Sequence, residues 1–312
     1  MEFLFIIDAP ESLQAYKDTS VAMMRAAQKR GYAVWVCEQH ALHWREGRVA
    51  AAAQRISLAD DDEDWYRSHE TELRPLERFA ATLMRKDPPF DLEYIVSTWL
   101  LSAAVRQGAR VFNAPDAIRD HNEKMAISEF ARFTVPTLVS REPERIQAFI
   151  DEQRDVVVKR LDVMGGEHVF RVRPDDPNRN VIVETISQRG ARTVMAQRFI
   201  PEIKDGDKRV ILIGGKLVPH CLARIPKPGE SRGNLAAGAR GVAQPLSARH
   251  REIGEALGPV LAARGLLLVG LDVIGDYLTE VNVTSPTGFR EIQDQTGFDV
   301  AGMFLDALER EE

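Results

Sequence analysis

Three side chains near the C-terminus could hold a divalent cation. The segment Gly270-Leu271-Asp272-Val273-Ile274-Gly275-Asp276-Tyr277-Leu278-Thr279-Glu280-Val281-Asn282 reads as two short strands around a glycine-bearing turn. Side chains alternate along a strand, so Glu280 and Asn282 project from one face. Asp272 joins them if the turn holds an odd number of residues, such as 275–277. A two-residue turn without a bulge would send it to the other side. Two carboxylates and an amide oxygen on one face are hard ligands suited to Mg²⁺. An ordinary exposed hairpin with incidental acids fits the same spacing.

A second group could bind anions. Lys124 lies in His121-Asn122-Glu123-Lys124, where a helix is expected to begin, and Lys159 ends the apolar run Val156-Val157-Val158. Either could be a plain surface lysine. Lys159 stands just before Leu161-Asp162-Val163-Met164-Gly165-Gly166, and a glycine-bearing turn lets backbone N–H groups approach phosphate oxygens closely. The P-loop spacing is absent, and hairpins use the same pair Gly165-Gly166. Arg85, Arg209, Arg224 and Arg232, with Arg240 further along, lie at strand ends or in loops and not in a helix charge ladder. Arginine matches carboxylate and phosphate with two parallel hydrogen bonds, although scattered surface arginines look the same in a sequence. Thr284-Ser285-Pro286-Thr287-Gly288 offers hydroxyls and backbone N–H groups that suit a small carboxylate, or forms a capped turn. The seven histidines show no HExxH spacing, and no Gly-x-Ser-x-Gly elbow occurs.

The elements that must position these groups follow from periodicity. An apolar strand at residues 3–7 ends at Asp8-Ala9-Pro10. A helical segment follows over 21–30, with possible caps at 18–20 and a C-terminal Gly31. Residues 32–37 form a second apolar run, so the opening reads as a βαβ unit with a right-handed crossover. The acidic run at 60–64 reads as solvated surface. Further strands at 80–84 and 109–112 flank a helix at 94–107, which describes a parallel α/β domain to about residue 120. Beyond it, short strands at 156–159, 169–172, 195–199 and 209–213, with a hairpin signal at Gly214-Gly215, describe antiparallel sheet in an α+β region. Residues 226–241, rich in Gly, Pro, Arg and Ala, read as a long mobile loop.

Composition narrows the function classes. The 312 residues suggest two domains, and 44% apolar with 28% charged residues is ordinary for a globular protein. A net charge of −6 argues against non-specific coating of nucleic acid or anionic lipid, so any anion site is a local cluster. Cys37 and Cys221 lie far apart without CxxC spacing, which excludes a disulfide framework and a structural zinc site and suits buried reduced thiols. No run of 18 apolar residues occurs and the start of the chain does not read as a signal peptide, so the expected location is cytoplasmic.

Taken together, these residues resemble the bacterial glutathione synthetases, ATP-grasp carboxylate–amine ligases. The resemblance runs through Leu83-Met84-Arg85-Lys86-Asp87-Pro88-Pro89-Phe90-Asp91, Asn122-Glu123-Lys124 and Lys204-Asp205-Gly206-Asp207-Lys208-Arg209-Val210. It continues through Cys221-Leu222-Ala223-Arg224-Ile225-Pro226, Arg232-Gly233-Asn234-Leu235-Ala236-Ala237-Gly238 and residues 269–287. It implies an N-terminal α/β domain over 1–120 and a two-lobed ATP-grasp domain over 121–312, with 226–241 as its flexible loop. By it, Lys124, Lys159, Gly165, Gly166 and Gln197 serve ATP, and Asp272, Glu280 and Asn282 hold Mg²⁺ or Mn²⁺. Arg209, Arg224 and Arg232 act in catalysis, and Arg85, Arg209, Arg224, Ser285 and Thr287 hold the acceptor substrate. The implied reaction phosphorylates the cysteinyl carboxylate of γ-glutamylcysteine and passes the acyl group to glycine. A homotetramer is implied as well.

The chain departs from the family after Lys159. Arg160 replaces a proline, Val163 replaces a glycine, Glu167-His168 replace a small pair, and Ala239 stands where glycine is common. If the glycine at 163 has φ > 0 in the family, valine there costs roughly 1–2 kcal/mol or the loop takes another path.

Overall fold

Residues 3–7 are apolar without interruption, and they make β1 (Glu2–Ile7) a central strand buried on both faces. The computed structural model describes residues 1–310 apart from 164, 165, 167, 230–232 and 234–237. Helix α1 (Thr19–Lys29) starts where the Asp18 carboxylate accepts the Val21 N–H at 2.9 Å, and it ends before Gly31 at φ +81°. Strand β2 (Ala33–Glu38) returns parallel to β1, completing the expected βαβ unit.

The next stretch corrects the expectation of a wholly parallel sheet. Strands β3 (Leu42–Arg45), β4 (Arg48–Leu58) and β5 (Tyr66–Pro75) are antiparallel and extend the sheet beyond β2. Glu46 and Gly47, at φ +50° and +85°, close the β3–β4 hairpin as a two-residue turn. The acidic run at 60–64 is more than a solvated surface. Arg25, buried on α1, pairs with Asp62 at 2.7 Å and donates to the Asp61 carbonyl at 2.6 Å. Strand β6 (Ala81–Met84), α2 (Leu92–Arg106), β7 (Val111–Phe112) and α3 (Pro115–Asp120) complete this region. The sheet order is β3-β4-β2-β1-β6-β7, with β5 on β4.

Two antiparallel sheets follow. The first combines β8 (Thr137–Ser140), α4 (Pro143–Gln153), β9 (Val156–Arg160), β10 (Val169–Val172), α5 (Arg179–Ile186) and β11 (Val194–Arg198), in strand order β10-β9-β11-β8. Val156 and Val158 face the helices, so Lys159 faces the other way. The second sheet joins β12 (Asp207–Ile213), β13 (Lys216–Ile225), β14 (Arg240–Pro245), β15 (Leu268–Ile274) and β16 (Tyr277–Asn282) in the order β14-β13-β12-β15-β16. Helix α6 (Ala248–Ala263) covers one face, where Val210, Leu271 and Val281 meet Ile253, Leu257 and Leu261. Helices α7 (Phe289–Thr296) and α8 (Val300–Arg310) pack with α1 onto Ile211, Ile213 and Leu222, and so bind this sheet to the N-terminal region.

One amide secures that junction. Asn113 is buried, donates from Nδ2 to the carbonyls of Leu268 and Val283 at 2.8 Å each, and accepts the Leu268 N–H at 2.9 Å. Those contacts sit at the start of β15 and just past the end of β16. Asn113→Ala would leave three buried backbone groups unpaired, at roughly 1–3 kcal/mol for each that water cannot reach. The expected outcome is a loss of several kcal/mol in urea unfolding, and a loss below 1 kcal/mol would show that the amide is not a tie.

Candidate active site

Strand register brings the charged residues of the second sheet onto one face. Asp207 and Arg209 alternate along β12; Arg224 lies opposite Asp207, and Asp272 opposite Arg209. Glu280 lies opposite Asp272, and Asn282 opposite Gly270. The turn that produces this pairing differs from the odd-numbered one considered from sequence. Ile274 pairs with Tyr277, so the turn holds two residues, Gly275 and Asp276. A bulge at Thr279 then restores the parity, and its hydroxyl donates to the Asp272 carbonyl at 3.1 Å.

This face forms one wall of a cavity of about 560 Å³, lined also by Lys124, Lys159, Gly166 and Gln197 and by Ser285 and Thr287. Asp8 and Asp87, from the ends of β1 and β6, line it too; Lys86 pairs with Asp8 at 2.7 Å. Asp272 accepts from Arg209 Nε at 2.7 Å and lies 2.8 Å from Arg224 Nη2. Arg224 also donates to Asp207. Glu280 Oε1 stands 3.2 Å from Lys159 Nζ and 3.8 Å from Lys124 Nζ. Asn282 donates through Nδ2 to the Gly270 carbonyl at 3.1 Å, which leaves its amide oxygen as an acceptor. Gly270 is required here, because a Cβ would stand 2.8 Å from Arg209 Cδ and 2.9 Å from Pro286 Cβ.

Arg85 is placed differently from the other candidates. It is buried off the cavity wall, donating to Ser20 Oγ at 3.1 Å and to the Pro286 carbonyl at 3.0 Å. Its Nη1 has no partner among the described residues. Arg232 and Gly165 fall outside the described residues. Arg240 is exposed at the start of β14. Lys124 Nζ donates to the Val163 carbonyl at 2.7 Å, and Val163 is not among the non-glycine residues at positive φ; His168 is, at φ +51°. Valine at 163 therefore carries no left-handed strain.

The charges are strongly perturbed. Burial opposes ionisation of Asp272, but Arg209 and Arg224 outweigh it and hold the carboxyl well below its usual range. Burial likewise opposes the charge on Glu280, and Lys124 and Lys159 reverse the effect. The Lys159 ammonium is pulled down by burial and by Lys124, against the attraction of Glu280. Asp207 goes the other way. Burial pushes it up to about 6, Arg224 resists, and Asp272 and Glu280 add to the rise. Its Oδ1 is buried without a hydrogen-bond partner among the described residues. Asp207 lies in a stretch quoted for the family resemblance, yet nothing in its type or spacing distinguishes it from a turn aspartate.

These residues fit a nucleotide with a divalent cation. Among the described residues no three His, Cys, Asp or Glu side chains converge on a metal position by themselves. Two carboxylates and an amide oxygen do share a face, and Mg²⁺ commonly completes such a set with phosphate oxygens and water. The Asp207 Oδ1 left without a partner among the described residues would accept a hydrogen bond from a hydroxyl such as a ribose's.

Comparison with known proteins decides the family. The models for the prokaryotic glutathione synthetase N-terminal domain and ATP-grasp domain match residues 1–119 and 123–297. The chain belongs to the prokaryotic glutathione synthetase family. It is 59% identical over 310 residues to the glutathione synthetase of Ralstonia nicotianae, covering 99% of this chain and 96% of the relative. The glutathione synthetase of Pseudomonas aeruginosa is 48% identical, with 97% and 96% covered. Among solved structures, D-cycloserine synthetase DcsG superposes with a TM-score of 0.70 at 16% identity over the full length of both chains. The ATP-grasp ligase PsnB, complexed with minimal precursor, Mg and ADP, reaches 0.61 at 17% identity, covering 99% and 97%. These two likenesses concern the fold, which is a mixed α/β N-terminal domain followed by an ATP-grasp domain.

Asp207 gives this member of the family a pH signature. Its carboxyl titrates near 6 when folded, and near 4 when unfolded, about the ordinary aspartate value. The stability tied to its proton is present below about pH 4 and is lost as pH rises through 6. Asp207→Asn removes that loss, so the ligand-free variant should gain thermal stability over the parent between about pH 5 and 8, and none at about pH 4. Parallel melting-temperature profiles for the two proteins would contradict the assignment.

Proposed function

We propose that the chain joins γ-glutamylcysteine to glycine with ATP, releasing glutathione, ADP and phosphate. The observation that carries this is the pairing of two guanidiniums with a cation-ligand face in one cavity, in a chain 48–59% identical to glutathione synthetases. Lys124, Lys159, Gly165, Gly166 and Gln197 hold ATP. Asp272, Glu280 and Asn282 hold Mg²⁺ or Mn²⁺, which when bound offsets charge on the transferring phosphoryl group. Arg209 and Arg224 hold an acceptor carboxylate, with Ser285 and Thr287 beside it; Arg232 serves the same reaction, and Arg85, buried behind the wall, supports the acceptor site through the Pro286 carbonyl. The cysteinyl carboxylate attacks the terminal phosphorus, and glycine's amine then displaces phosphate from the acyl carbon. Holding the reactants in line supplies as much as roughly 7–11 kcal/mol of the barrier.

Net charge −6 suits small-molecule partners and not nucleic acid. No helix among the described residues is long and apolar enough to cross a membrane, and both thiols are buried and free. We place the reaction in the cytoplasm, where ATP is available. We also propose a homo-oligomer, a tetramer by family resemblance. Leu92 and Trp99 stand exposed on one face of α2, with acidic Glu93 at one end and basic Arg106 at the other. Antiparallel pairing of two copies would match those charges and cover both side chains.

The direct test measures ADP release with γ-glutamylcysteine and glycine each omitted in turn. Dependence on both supports the proposal. Turnover with another acid or amine in their place would mean an ATP-grasp ligase of different specificity. No turnover with any pair would mean a nucleotide-binding relative without activity.

A further inference from the structure

Glu123 has no role in the chemistry above, yet it hydrogen-bonds to the cation-ligand strand and to the residues that follow it. Its Oε1 accepts the Val283 N–H at 2.8 Å, the Thr284 N–H at 3.0 Å and the Thr284 hydroxyl at 2.8 Å. Its own carbonyl accepts the Val281 N–H at 2.8 Å. Four donors from residues 281–284 therefore converge on one residue. β16 is the edge strand of its sheet, and without Glu123 these outward N–H groups would lack partners.

The residues on either side of Glu123 reach in the opposite direction. Asn122 Nδ2 donates to the Leu161 carbonyl at 3.1 Å, and Lys124 Nζ donates to the Val163 carbonyl at 2.7 Å. Asn122 Oδ1 also accepts the Lys124 and Met125 N–H groups, which fixes the course of the backbone. Three consecutive residues thus span from the loop after β9 to the outer edge of β16. On that edge Glu280 precedes the Glu123 contacts, Asn282 lies between those at Val281 and Val283, and Ser285 comes just after.

We infer that Glu123 is a positioning residue: its carboxylate sets the end of β16 and the Ser285 turn against Lys124, so that cation ligands and acceptor site keep one geometry. The inference rests on the reading of Asp272, Glu280 and Asn282 as cation ligands. Hydrogen bonds accepted by a carboxylate are roughly twice as strong as neutral ones, which explains a glutamate here. Glutamine keeps an acceptor oxygen but loses the charge, and Thr284→Val removes a single donor.

The test titrates Mg²⁺ by calorimetry into the full-length protein saturated with the β,γ-imido analogue of ATP. It is paired with steady-state kinetics and thermal melts of Glu123→Gln, Glu123→Ala, Thr284→Val and Glu280→Gln. For Glu123→Gln the account expects a Kd for Mg²⁺ raised about tenfold, which is ~1.4 kcal/mol, and a KM for γ-glutamylcysteine raised alongside it. Analogue affinity without metal should stay unchanged. Thr284→Val should move the same two quantities in the same direction by less, and Glu123→Ala by more. A drop in melting temperature with Mg²⁺ affinity and the γ-glutamylcysteine KM unmoved in the folded variants would overturn the inference and leave Glu123 a brace. If Glu280→Gln itself left the Mg²⁺ titration unchanged, the ligand reading would fail first, and the inference with it.

Discussion

The carboxylate of Asp272 sits between two guanidiniums where water scarcely reaches, and the rest of the cavity is arranged to keep that charge balanced. Taking a single such ion from water into a protein interior costs several kcal/mol, so an unmatched charge here would be strongly destabilising. Around that carboxylate Arg209, Arg224, Lys124 and Lys159 interleave with Asp207 and Glu280. In the ligand-free chain these groups hold one another. In the proposed reaction the phosphates would pair with the lysines and a substrate carboxylate with the arginines. The charged groups proposed to bind ligands therefore already share one cavity before any ligand arrives.

That constraint explains much of the fold around it. Alternation along β12, β13, β15 and β16 gives each strand one charged face toward the cavity and one apolar face toward α6. Gly270 is where the constraint reaches the backbone, since Arg209 crosses it to meet Asp272. The bulge at Thr279 is where it reaches the register, since without the extra residue Glu280 would face α6. Asn113 and Glu123 grip the same two strands from outside their sheet, at the buried start of β15 and along the free edge of β16.

The sequence made some of this legible and hid the rest for physical reasons. Continuous apolar runs at 3–7 and 33–37, and a capped helix between them, sufficed for the opening βαβ unit. Strands β3 to β5 were hidden because β4 carries four consecutive alanines, which have little strand preference, and β5 is largely exposed. Asp272, Glu280 and Asn282 could be grouped by alternation, although the turn that groups them is two residues plus a bulge. Asp207 and Glu123 could not be found that way. What marks them is a buried oxygen without a partner in one case and three donors on one oxygen in the other; the Arg224 partner of Asp207 is 17 positions away, and the nearest donor on the Glu123 carboxylate is 160 away.

The central claim is that this cavity activates a carboxylate by phosphorylation before the amine attacks. The most direct measurement supplies γ-glutamylcysteine labelled with ¹⁸O in its cysteinyl carboxylate, together with ATP and glycine, and weighs the released phosphate by mass spectrometry. The account predicts one ¹⁸O atom in each phosphate, carried over from the carboxylate when glycine's nitrogen replaces it. Unlabelled phosphate with both labels retained or lost elsewhere would contradict it.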